Sequence, residues 1–403
     1  MPGTILTINS GSSSLKLGLY RADTGCSPQL LYRGATDAIG KPGGSLSITD
    51  AAGKTIHRED SSHESQSSAF AHAAQKLQQL SGTHPDAIGY RVVHGGPHLR
   101  EHCRITPQVL DTLSAAIHYA PLHIPGALAL IDTASKLYPR VPAFACFDTA
   151  FHTTMPAEAS TYAIPARFRE QGVHRYGFHG LSYESVVATF GASSGDSSGA
   201  APAAAVPARL VVAHLGNGAS LCAIAEGRSV DTSMGLTPTG GIPMGTRTGD
   251  LDPGVVLFLA RSGNLDANAL ESVVNHDSGL AGLSGGISDL RELTAAADKG
   301  SATAKQAIAI FCRSIAKTIA SYAAVLDGLD CLVFTGGIGE HSALVREQVC
   351  RQLGFLGLAI HAEANQRNAA TISQPTSVVQ VQIIPADEDG RIAHHVHGLL
   401  SRK

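Results

Sequence analysis

Two segments far apart in the chain share one pattern, and this pattern constrains the fold more than any other feature. Residues 4–20, TILTINSGSSSLKLGLY, and residues 210–225, LVVAHLGNGASLCAIA, each place a turn of small residues between two apolar, β-rich runs. Such a pattern predicts a β-hairpin. Sequence identity between the segments is slight, so they share only a plan. We therefore expect two related halves, each opening on a hairpin whose turn can approach a ligand.

Length and patterning favour two domains of the α/β class. A chain of 403 residues, 43% of them hydrophobic, is too long for one comfortable core. Apolar strands alternate with helical patterns, which predicts an α/β fold; the helical patterns lie at 66–80, 107–118, 126–137, 181–190, 254–262, 303–326 and 342–353. We expect one domain over residues 1–150, joined by the C-terminal segment 386–403, and a second over 151–385. Residues 191–209, rich in Gly, Ser and Ala, are interpreted as a flexible insertion.

Charge and cysteine content exclude several classes of function. Lys plus Arg number 30 against 33 for Asp plus Glu, so we expect neither nucleic acid nor an anionic membrane as the main partner. No secretory signal and no run of about 18 consecutive apolar residues is visible. The seven cysteines are scattered without metal-ligand spacing, as in a protein with reduced thiols. A soluble, cytoplasmic protein is therefore expected.

Three familiar signatures lack either a residue or the structural context that their function needs. Residues 53–55, GKT, look like the end of a P-loop but lack its upstream glycine, so we interpret them as a hairpin turn. Residues 282–286, GLSGG, match the nucleophile elbow of hydrolases, but turn residues rather than a strand precede them. His94, His98 and His102 are spaced by four residues, but the GGP run among them argues against a helical metal site. A hydrolase remains a distant alternative.

Glycine-rich turns and isolated arginines are harder to dismiss. Turns at 9–14, 214–218 and 334–340 each follow an apolar strand and offer backbone N–H groups to an anion or nucleotide. Arg91 lies within an apolar strand and Arg247 within a loop of small residues. A guanidinium pairs bidentately with carboxylate or phosphate, so these arginines indicate an anion site, with a structural Arg–Asp pair as the alternative.

Taken together, these motifs resemble those of the acetate kinase family. They occur in the family's order over about residues 4–393: INSGSSSLK, GYRVVHGG, PLHIP, FDTAFHTTMP, RYGFHGLSYES, HLGNGAS, DTSMGLTPTGGIPMGTRTGDLDPG, FTGGIGEH and ADEDG. The resemblance implies two ribonuclease-H-like domains of the actin-like ATPase type flanking an ATP cleft, the second domain binding the nucleotide. It implies the reaction ATP + acetate ⇌ ADP + acetyl phosphate by direct in-line transfer, Mg²⁺ (or Mn²⁺) as cofactor, and a homodimer.

The resemblance also implies roles for individual residues. The implied metal site consists of Asn9 and Glu388. The implied catalytic residues are Arg91, Asp148, His179, Arg247 and His123. The implied substrate pocket is formed by Arg91, Val93, Leu122, Phe178 and Pro238. The implied nucleotide site comprises Lys16, Ser12, Ser14, His214, Leu215, Gly216, Asn217, Gly218, Asp289, Leu290, Arg291, Gly337, Ile338, Gly339, Glu340 and His341.

The chemistry of this reaction favours an orienting role for Asp148. A carboxylate acceptor is already nucleophilic at neutral pH, so little proton abstraction is needed. Catalysis then reduces to alignment and to stabilising charge on the transferring phosphoryl group, which two arginines, one histidine and Mg²⁺ would supply. Asp148 is therefore expected to position these groups rather than to exchange a proton.

The chain departs from the family pattern at Ile124, Leu181, Thr239, His341 and Gly390. None of these positions removes a proposed catalytic side chain, and we expect them to bear on nucleotide preference, acyl-chain tolerance or domain closure. A kinase for propionate or another short-chain acid is the nearest alternative, because one methylene changes binding by only about 1–3 kcal/mol. An actin-like ATP-binding scaffold without acyl transfer is the alternative from a different class.

Overall fold

The structure, a computed structural model, describes residues 3–11, 13–191 and 205–401. The chain divides into two compact units: a first unit formed by Met1–Ala150 and Asp387–Lys403, and a second unit formed by Phe151–Ala386. Each unit combines one β-sheet with helices, as the predicted α/β class requires. Ser12 and most of the predicted insertion at 191–209 lie outside the described residues.

The first unit is built on an eight-stranded sheet. Its strands are β1 (Gly3–Ser10), β2 (Leu15–Ala22), β3 (Gln29–Thr36), β4 (Ser45–Asp50), β5 (Thr55–Asp60), β6 (Ala87–Val92), β7 (Cys103–Arg104) and β8 (Ala143–Phe147). Their order across the sheet is β5-β4-β3-β2-β1-β6-β8-β7. Strands β1 to β5 form an antiparallel meander, whereas β1, β6 and β8 are parallel. The carboxyl ends of these three parallel strands therefore meet at one edge of the sheet.

The second unit repeats this plan with five strands. They are β9 (Arg209–Leu215), β10 (Ala219–Ala225), β11 (Arg228–Thr232), β12 (Cys331–Thr335) and β13 (Gln380–Ile383). Their order is β11-β10-β9-β12-β13, with β9, β10 and β11 antiparallel and β9, β12 and β13 parallel. The first unit contains the same arrangement as β3-β2-β1-β6-β8. Both sheets begin with the predicted hairpin, although helices between Ala157 and Gly191 precede the hairpin in the second unit. The shared strand order agrees with two related halves.

Helices surround both sheets. In chain order they are α1 (Gln66–Ser81), α2 (Pro107–Ala115), α3 (Ile124–Leu137), α4 (Ala157–Ser160), α5 (Ala166–Arg169), α6 (Gly180–Gly191), α7 (Pro253–Ser262), α8 (Ala267–Asn275), α9 (Gly279–Ser284), α10 (Leu290–Asp298), α11 (Ala302–Val325), α12 (Gly336–His341), α13 (Ala343–Gln352), α14 (Ala362–Gln366) and α15 (Glu388–Ser401). Local sequence sets many of their ends. Helix α1, for example, begins with a capping box between Ser65 and Ser68 and ends at Gly82, whose φ is 65°.

The longest helix, α11, forms the core of the second unit. By length and composition alone it could cross a membrane. Its residues Phe311, Ile315 and Ile319 are fully buried at four-residue spacing, and the helix packs against β9, β10 and three other helices. Burial inside the unit explains its apolar composition, because the core helix of a globular unit needs such a stripe.

The predicted helical patterns coincide with helices, with two refinements. The pattern at 107–118 ends as an α-helix at Ala115 and continues as a short 3₁₀ turn at Ile117–Tyr119. The pattern at 342–353 is preceded by the separate short helix α12. The GKT run lies in the turn between β4 and β5, with Gly53 at a φ of 80°.

The elbow-like run GLSGG covers the end of helix α9 and the residues that follow it. The Ser284 hydroxyl accepts a hydrogen bond from the amide of Ile287 at 3.0 Å. Helix α8 and a short turn precede α9, where a nucleophile elbow needs a strand. The serine therefore closes a helix, and the hydrolase alternative loses its structural basis.

Candidate active site

The carboxyl ends of the parallel strands in the first unit carry three polar side chains. Asn9 lies at the end of β1, Arg91 in β6, and Asp148 directly after β8. Arg91 Nε donates to Oδ1 of Asp148 at 2.9 Å, and Nη2 donates to Oδ2 at 2.6 Å. Arg91 Nη1 donates to Oδ1 of Asn9 at 3.2 Å and lies 3.6 Å from Oε2 of Glu388. The fold thus brings together four residues that the family resemblance assigned to the active site.

Electrostatics keep Arg91 charged in this setting. Burial alone would lower its pKa, but attraction by Asp148 and Glu388 and the hydrogen bonds to Asp148 raise the pKa above its ordinary value. Asp148 is 1% exposed, and both of its carboxylate oxygens accept hydrogen bonds from the guanidinium. A carboxylate bound in this way fixes the orientation of its partner and is poorly placed to exchange a proton.

Oxygen ligands suited to a divalent cation adjoin Arg91. Asn9 Nδ2 donates to Oε2 of Glu388 at 2.8 Å. The next residue, Asp389, is buried, and its Oδ1 has no hydrogen-bond partner among the described residues. Burial, with repulsion from Glu388, raises the pKa of Asp389. Amide and carboxylate oxygens are the ligands that Mg²⁺ prefers, so this set fits such an ion. Sequence reasoning included the acidic run but did not single out Asp389.

The turn between β1 and β2 extends this side of the first unit. Gly11 donates its backbone N–H to the carbonyl of Ser14 at 2.8 Å, and a Cβ at Gly11 would lie 2.8 Å from the Ser14 hydroxyl. Gln66 braces the turn by donating to the Gly11 carbonyl at 2.9 Å. Lys16 pairs directly with Asn9 across the antiparallel strands, so the two side chains share one face.

In the second unit, the predicted nucleotide segments converge beyond the carboxyl ends of β9 and β12. A Cβ at Gly336 would lie 2.8 Å from the carbonyl oxygen of Leu215. A Cβ at Gly245 would lie 2.4 Å from Oδ1 of Asn217 and 3.5 Å from the carbonyl of Ser288. Glycines therefore allow the segments around 214–218, 288–291 and 336–341 to pack closely. Ligands of α/β sheets bind at such strand ends.

The segment 336–341 is braced from within. Glu340 Oε1 accepts from the backbone amides of Gly336 at 3.0 Å and Ala386 at 3.3 Å. The Gly339 carbonyl accepts from Nη1 of Arg346 at 2.8 Å. Gly337 and His341 are exposed. Glu340 thus holds the turn, while its neighbours Gly337 and His341 face solvent.

Arg346 supports the segment 336–341, and sequence reasoning missed it. It is fully buried and makes no ion pair with a carboxylate of the described residues. Instead it donates to Oδ1 and the carbonyl of Asn365, both at 2.7 Å, and to Oδ1 of Asn368 at 2.6 Å. Burial lowers its pKa to about 10. No local pattern in the sequence marks this role, because the asparagine partners lie 19 and 22 residues further along the chain.

The Asp289–Arg291 pair has a structural explanation of its own. Asp289 caps helix α10 by accepting from the amide of Arg291 at 2.8 Å, and it also accepts from Arg291 Nη2 at 2.6 Å. The side-chain hydrogen bond from Arg291 is the main cause that lowers the pKa of Asp289 to about 2. The Arg291 side chain is 91% exposed, so it stands open to solvent beside the cap.

His179 occupies a strained position beside the 214–218 turn. Its φ is 59°, a conformation rare for a side-chain-bearing residue and typical of functional sites. A hydrogen bond of 2.8 Å joins its Nδ1 to Oγ of Ser220, and its ring stacks on His214 with 4.3 Å between centroids. A Cβ at Gly218 would lie 3.5 Å from His179 Nε2 and 3.6 Å from Arg247 Nη1. An imidazole, a guanidinium and a glycine turn therefore meet at one point.

Arg247 differs from Arg91 in its partners. Its Nη1 donates to the carbonyl of Pro238 at 3.1 Å, and it makes no ion pair with a carboxylate of the described residues. Burial lowers its pKa from the usual value, although a guanidinium remains charged at neutral pH. Arg247 thus presents a positive charge that no carboxylate in its described surroundings neutralises.

His152, which follows Asp148 in the same motif, supports the segment that carries His179. Its Nε2 donates to the Phe178 carbonyl at 2.9 Å, and its Nδ1 lies 2.8 Å from the Ser229 hydroxyl. Burial lowers the pKa of His152 to about 4, so the ring is neutral near pH 7. Its role is to position the Phe178–His179 backbone.

The remaining predicted site residues lie in both units. Val93 is half-buried and Leu122 is 48% exposed in the first unit, where His123 directly precedes helix α3. Phe178 and Pro238 are buried in the second unit.

Four of the five departures from the family pattern have a local explanation. Ile124 and Leu181 are buried core residues of α3 and α6. The Thr239 hydroxyl donates to Oδ1 of Asn275 at 2.6 Å. Gly390 donates its backbone N–H to Oδ1 of Asp387 at 3.2 Å, and a Cβ there would displace that carboxylate. Nothing in the structure explains His341.

Comparisons with known proteins agree with this geometry. The acetokinase family model matches residues 4–394. An acetate kinase of Rhodopseudomonas palustris is 41% identical, and the match covers 98% of both chains. A propionate kinase of Citrobacter rodentium is 39% identical over 98% of this chain and 96% of its own. The solved structure of Porphyromonas gingivalis acetate kinase superimposes with a TM-score of 0.83 at 35% identity, covering 99% of this chain and 100% of the other.

The predicted fold class and family are therefore confirmed. A solved propionate kinase from Francisella tularensis also matches, with a TM-score of 0.86 and 34% identity over 97% of this chain and 98% of the other. The repeated strand order of the two units agrees with two actin-like domains, and an ATP-binding scaffold without kinase activity is no longer needed to explain them. The chain belongs to the acetokinase family and is a kinase of that family.

Proposed function

We propose that this kinase transfers the γ-phosphoryl group of ATP to acetate, giving acetyl phosphate and ADP by direct, reversible in-line transfer. The observation that carries the proposal is Arg91, a charged guanidinium oriented by Asp148 at the edge of the first unit's sheet. Its Nε, Nη1 and Nη2 each donate to a described residue. One N–H on each terminal nitrogen remains, and this fork matches a carboxylate or phosphoryl group.

Arg91 and Asp148 have distinct parts in this proposal. Arg91 receives the acceptor carboxylate and the phosphoryl group, and Asp148 holds its plane. Acetate needs no base to become a nucleophile, which agrees with an Asp148 whose oxygens are both engaged by Arg91. His123, at the start of α3, is proposed to assist on the same unit.

Charge that develops on the transferring group is proposed to be stabilised by His179 and Arg247. Both lie within ordinary contact distance of the position that a methyl group at Gly218 would take, so a small anionic group has room there. A loose phosphoryl-transfer transition state concentrates charge on its equatorial oxygens, which favours positive groups without competing carboxylates. Arg247 has this property.

Asn9 and Glu388 are proposed to hold Mg²⁺, with Mn²⁺ as a substitute. The unsatisfied buried oxygen of Asp389 supports a cation at this position, because a nearby positive charge would offset its burial. When bound, the ion would supply positive charge to the phosphates of ATP.

ATP and ADP are the nucleotide substrates that the family implies, and we propose residues of both units for their binding. Lys16, Ser12 and Ser14 would approach the phosphates from the β1–β2 turn. The residues 214–218, 289–291 and 337–341 would hold the rest of the nucleotide, and their close packing at the strand ends supports this assignment.

The acid that the enzyme prefers depends on the proposed methyl pocket of Val93, Leu122, Phe178 and Pro238. Acetate is the first choice, because the acetate kinase of Rhodopseudomonas palustris is 41% identical to this chain. Propionate is the second candidate, since the propionate kinase of Citrobacter rodentium is similar at 39% identity. One methylene changes binding by only about 1–3 kcal/mol, so either acid fits such a pocket.

We also propose a homodimer, two domains and a cytoplasmic location. Helix α7 supports the dimer: none of its residues is buried, and Leu257 and Phe258 are 52% and 64% exposed. A second copy is the occupant that would cover this apolar helix.

The domain boundaries proposed are 1–150 with 386–403, and 151–385. All seven cysteines are free thiols, which agrees with a reducing compartment.

Acyl phosphate formation tests the proposed reaction. ATP, Mg²⁺ and hydroxylamine would be incubated with the enzyme and with acetate, propionate, butyrate or no acid, and the hydroxamate measured. We expect most product with acetate and none without an acid. Product strongest with propionate would keep the mechanism and change the substrate. No product with any acid, at concentrations where ATP binding is demonstrated, would contradict the proposal.

A further inference from the structure

A pocket of about 500 Å³ opens within the first unit, on the face of the sheet opposite to Arg91. Strand residues alternate between faces. Gly89 faces helix α15, since a Cβ there would meet Ile392 and Val396. Arg91, two residues further along the strand, lies on the same face. Ile88 and Tyr90 lie on the opposite face and line the pocket together with residues of α2 and α3. We call this the reverse-face pocket.

Two tyrosines inside the reverse-face pocket are left without hydrogen-bond partners. Tyr90 is 3% exposed and Tyr138 is 6% exposed. Neither hydroxyl forms a hydrogen bond with any residue in the described parts of the chain, although both tyrosines line the pocket. Burial raises the pKa of both, so they remain protonated and can donate. Both hydroxyls are therefore open to an acceptor group of a ligand in the pocket.

The remaining lining supplies charge and an apolar surface. Arg104 and Arg140 stand exposed at the pocket, and neither pairs with a carboxylate of the residues that the structure describes. Apolar side chains complete the walls: Ile88, Leu110, Leu128 and Ile131. Asp132, the lining carboxylate, is bound to Lys136 at 2.7 Å. The set therefore offers hydrogen-bond donors and cations around an apolar body.

We propose that the reverse-face pocket binds an organic carboxylate larger than acetate, with an apolar body and a separate carbonyl acceptor. The carboxylate pairs with Arg104 or Arg140, and the carbonyl accepts from Tyr90 or Tyr138. The volume lies within the usual range of small-molecule sites, which is about 300–1,000 Å³. Tyr90 directly precedes Arg91 on β6, so the ligand contacts the strand that carries the proposed acetate-binding arginine.

Binding in the reverse-face pocket is independent of the acetate reaction, and calorimetry with the 403-residue chain tests it. The probe is 3-benzoylpropionate, which has a phenyl ring, a ketone and a carboxylate. We expect saturable binding with a Kd below about 1 mM, undiminished by saturating acetate. Absence of saturable binding, or displacement by acetate, would overturn the proposal.

Matched variants locate the binding. The double substitution Tyr90→Phe and Tyr138→Phe removes only the two hydroxyls and should weaken binding about tenfold. The double substitution Arg104→Gln and Arg140→Gln removes both exposed cations and should weaken binding by a similar factor. Tyr32→Phe, on β3 away from the pocket lining, serves as the control and should bind as the wild type does. Equal affinity in all variants would show that the probe binds elsewhere and would overturn the proposal.

Discussion

The two arginines at the candidate active site are held in opposite ways. Arg91 in the first unit is fixed by Asp148 and by the nearby Glu388, so its orientation is set and its charge is partly neutralised. Arg247 in the second unit is held by the neutral carbonyl of Pro238 and retains its full charge. The difference agrees with the proposed division of roles, in which Arg91 aligns the acceptor and Arg247 stabilises charge in the transition state.

Replacing Arg247 by Ala tests the charge-stabilising half of this comparison and should have a larger effect than the three substitutions that follow. We expect kcat to fall by about 10²–10³, the loss typical of one preorganised group. The KM for acetate should change by only a few-fold, because the lost interaction matters in the transition state. Steady-state hydroxamate assays measure both constants. Arg247→Lys keeps the charge and is the control, with partial activity; a change confined to the acetate KM would contradict the assigned role.

Asp148→Asn tests the aligning half. Asn has the same shape but lacks the charge that fixes the Arg91 plane, and misplacement of a catalytic group by about 1 Å costs on the order of 10² in rate. We expect kcat/KM for acetate to fall by about 10- to 100-fold. The pH profile of the remaining activity should keep its shape, because the proposed role of Asp148 is to orient Arg91 and not to exchange a proton. Loss of an acidic limb from that profile would instead identify Asp148 as a general base.

Gly218→Ala tests the meeting point of His179 and Arg247. The added methyl group makes ordinary contacts of 3.5 Å and 3.6 Å with these side chains, so the fold should tolerate it. It would occupy space proposed for the phosphoryl group, and we expect kcat to fall about tenfold without a change in melting temperature. Gly354→Ala, whose Cβ would meet nothing within 4 Å, is the matched control. Wild-type activity of Gly218→Ala would remove this point from the site.

The Asp289–Arg291 pair is exposed, whereas the Arg91–Asp148 pair is buried, so we expect a smaller effect when the exposed pair is broken. Asp289→Ala should lower the free energy of unfolding by about 1 kcal/mol through loss of the helix cap, because solvent limits the contribution of the ion pair. The pKa of Asp289 is lowered to about 2. Its contribution is therefore present above the unfolded-state pKa of about 4 and is lost as pH falls toward 2. Urea unfolding of the wild type and of Asp289→Ala at about pH 7 and about pH 2.5 measures this contribution. An equal difference in unfolding free energy between the two proteins at both pH values would contradict the prediction.

Sequence patterning predicted the strand ends better than the contacts made there. The apolar runs before Arg91 and Asp148 located two parallel strands, so their proximity followed from the fold class. The contact of Glu388 with Asn9 and Arg91 joins opposite ends of the chain. No local pattern encodes such a contact, and only the family resemblance indicated it.

Helix α15 and Arg346 show why the remainder was missed. Half of the residues of α15 are polar, and its buried residues are Asp389, Ile392, Ala393 and Val396. An arginine in a helix is usually expected to be exposed. Arg346 is instead completely buried, because the carbonyl oxygens of Gly339 and Asn365 accept hydrogen bonds from its guanidinium. Both features depend on tertiary packing, which hydrophobic periodicity does not report.

Chemical rescue of Arg91→Ala by guanidinium ion tests the central claim most directly. The substitution should reduce acetate turnover by about 10³ while leaving ATP affinity nearly unchanged. If Asp148 is the anchor, added guanidinium should bind beside it and restore part of the activity. The same addition should fail when Asp148→Asn is combined with Arg91→Ala. Equal rescue in both variants, or wild-type turnover of Arg91→Ala without guanidinium, would contradict the account.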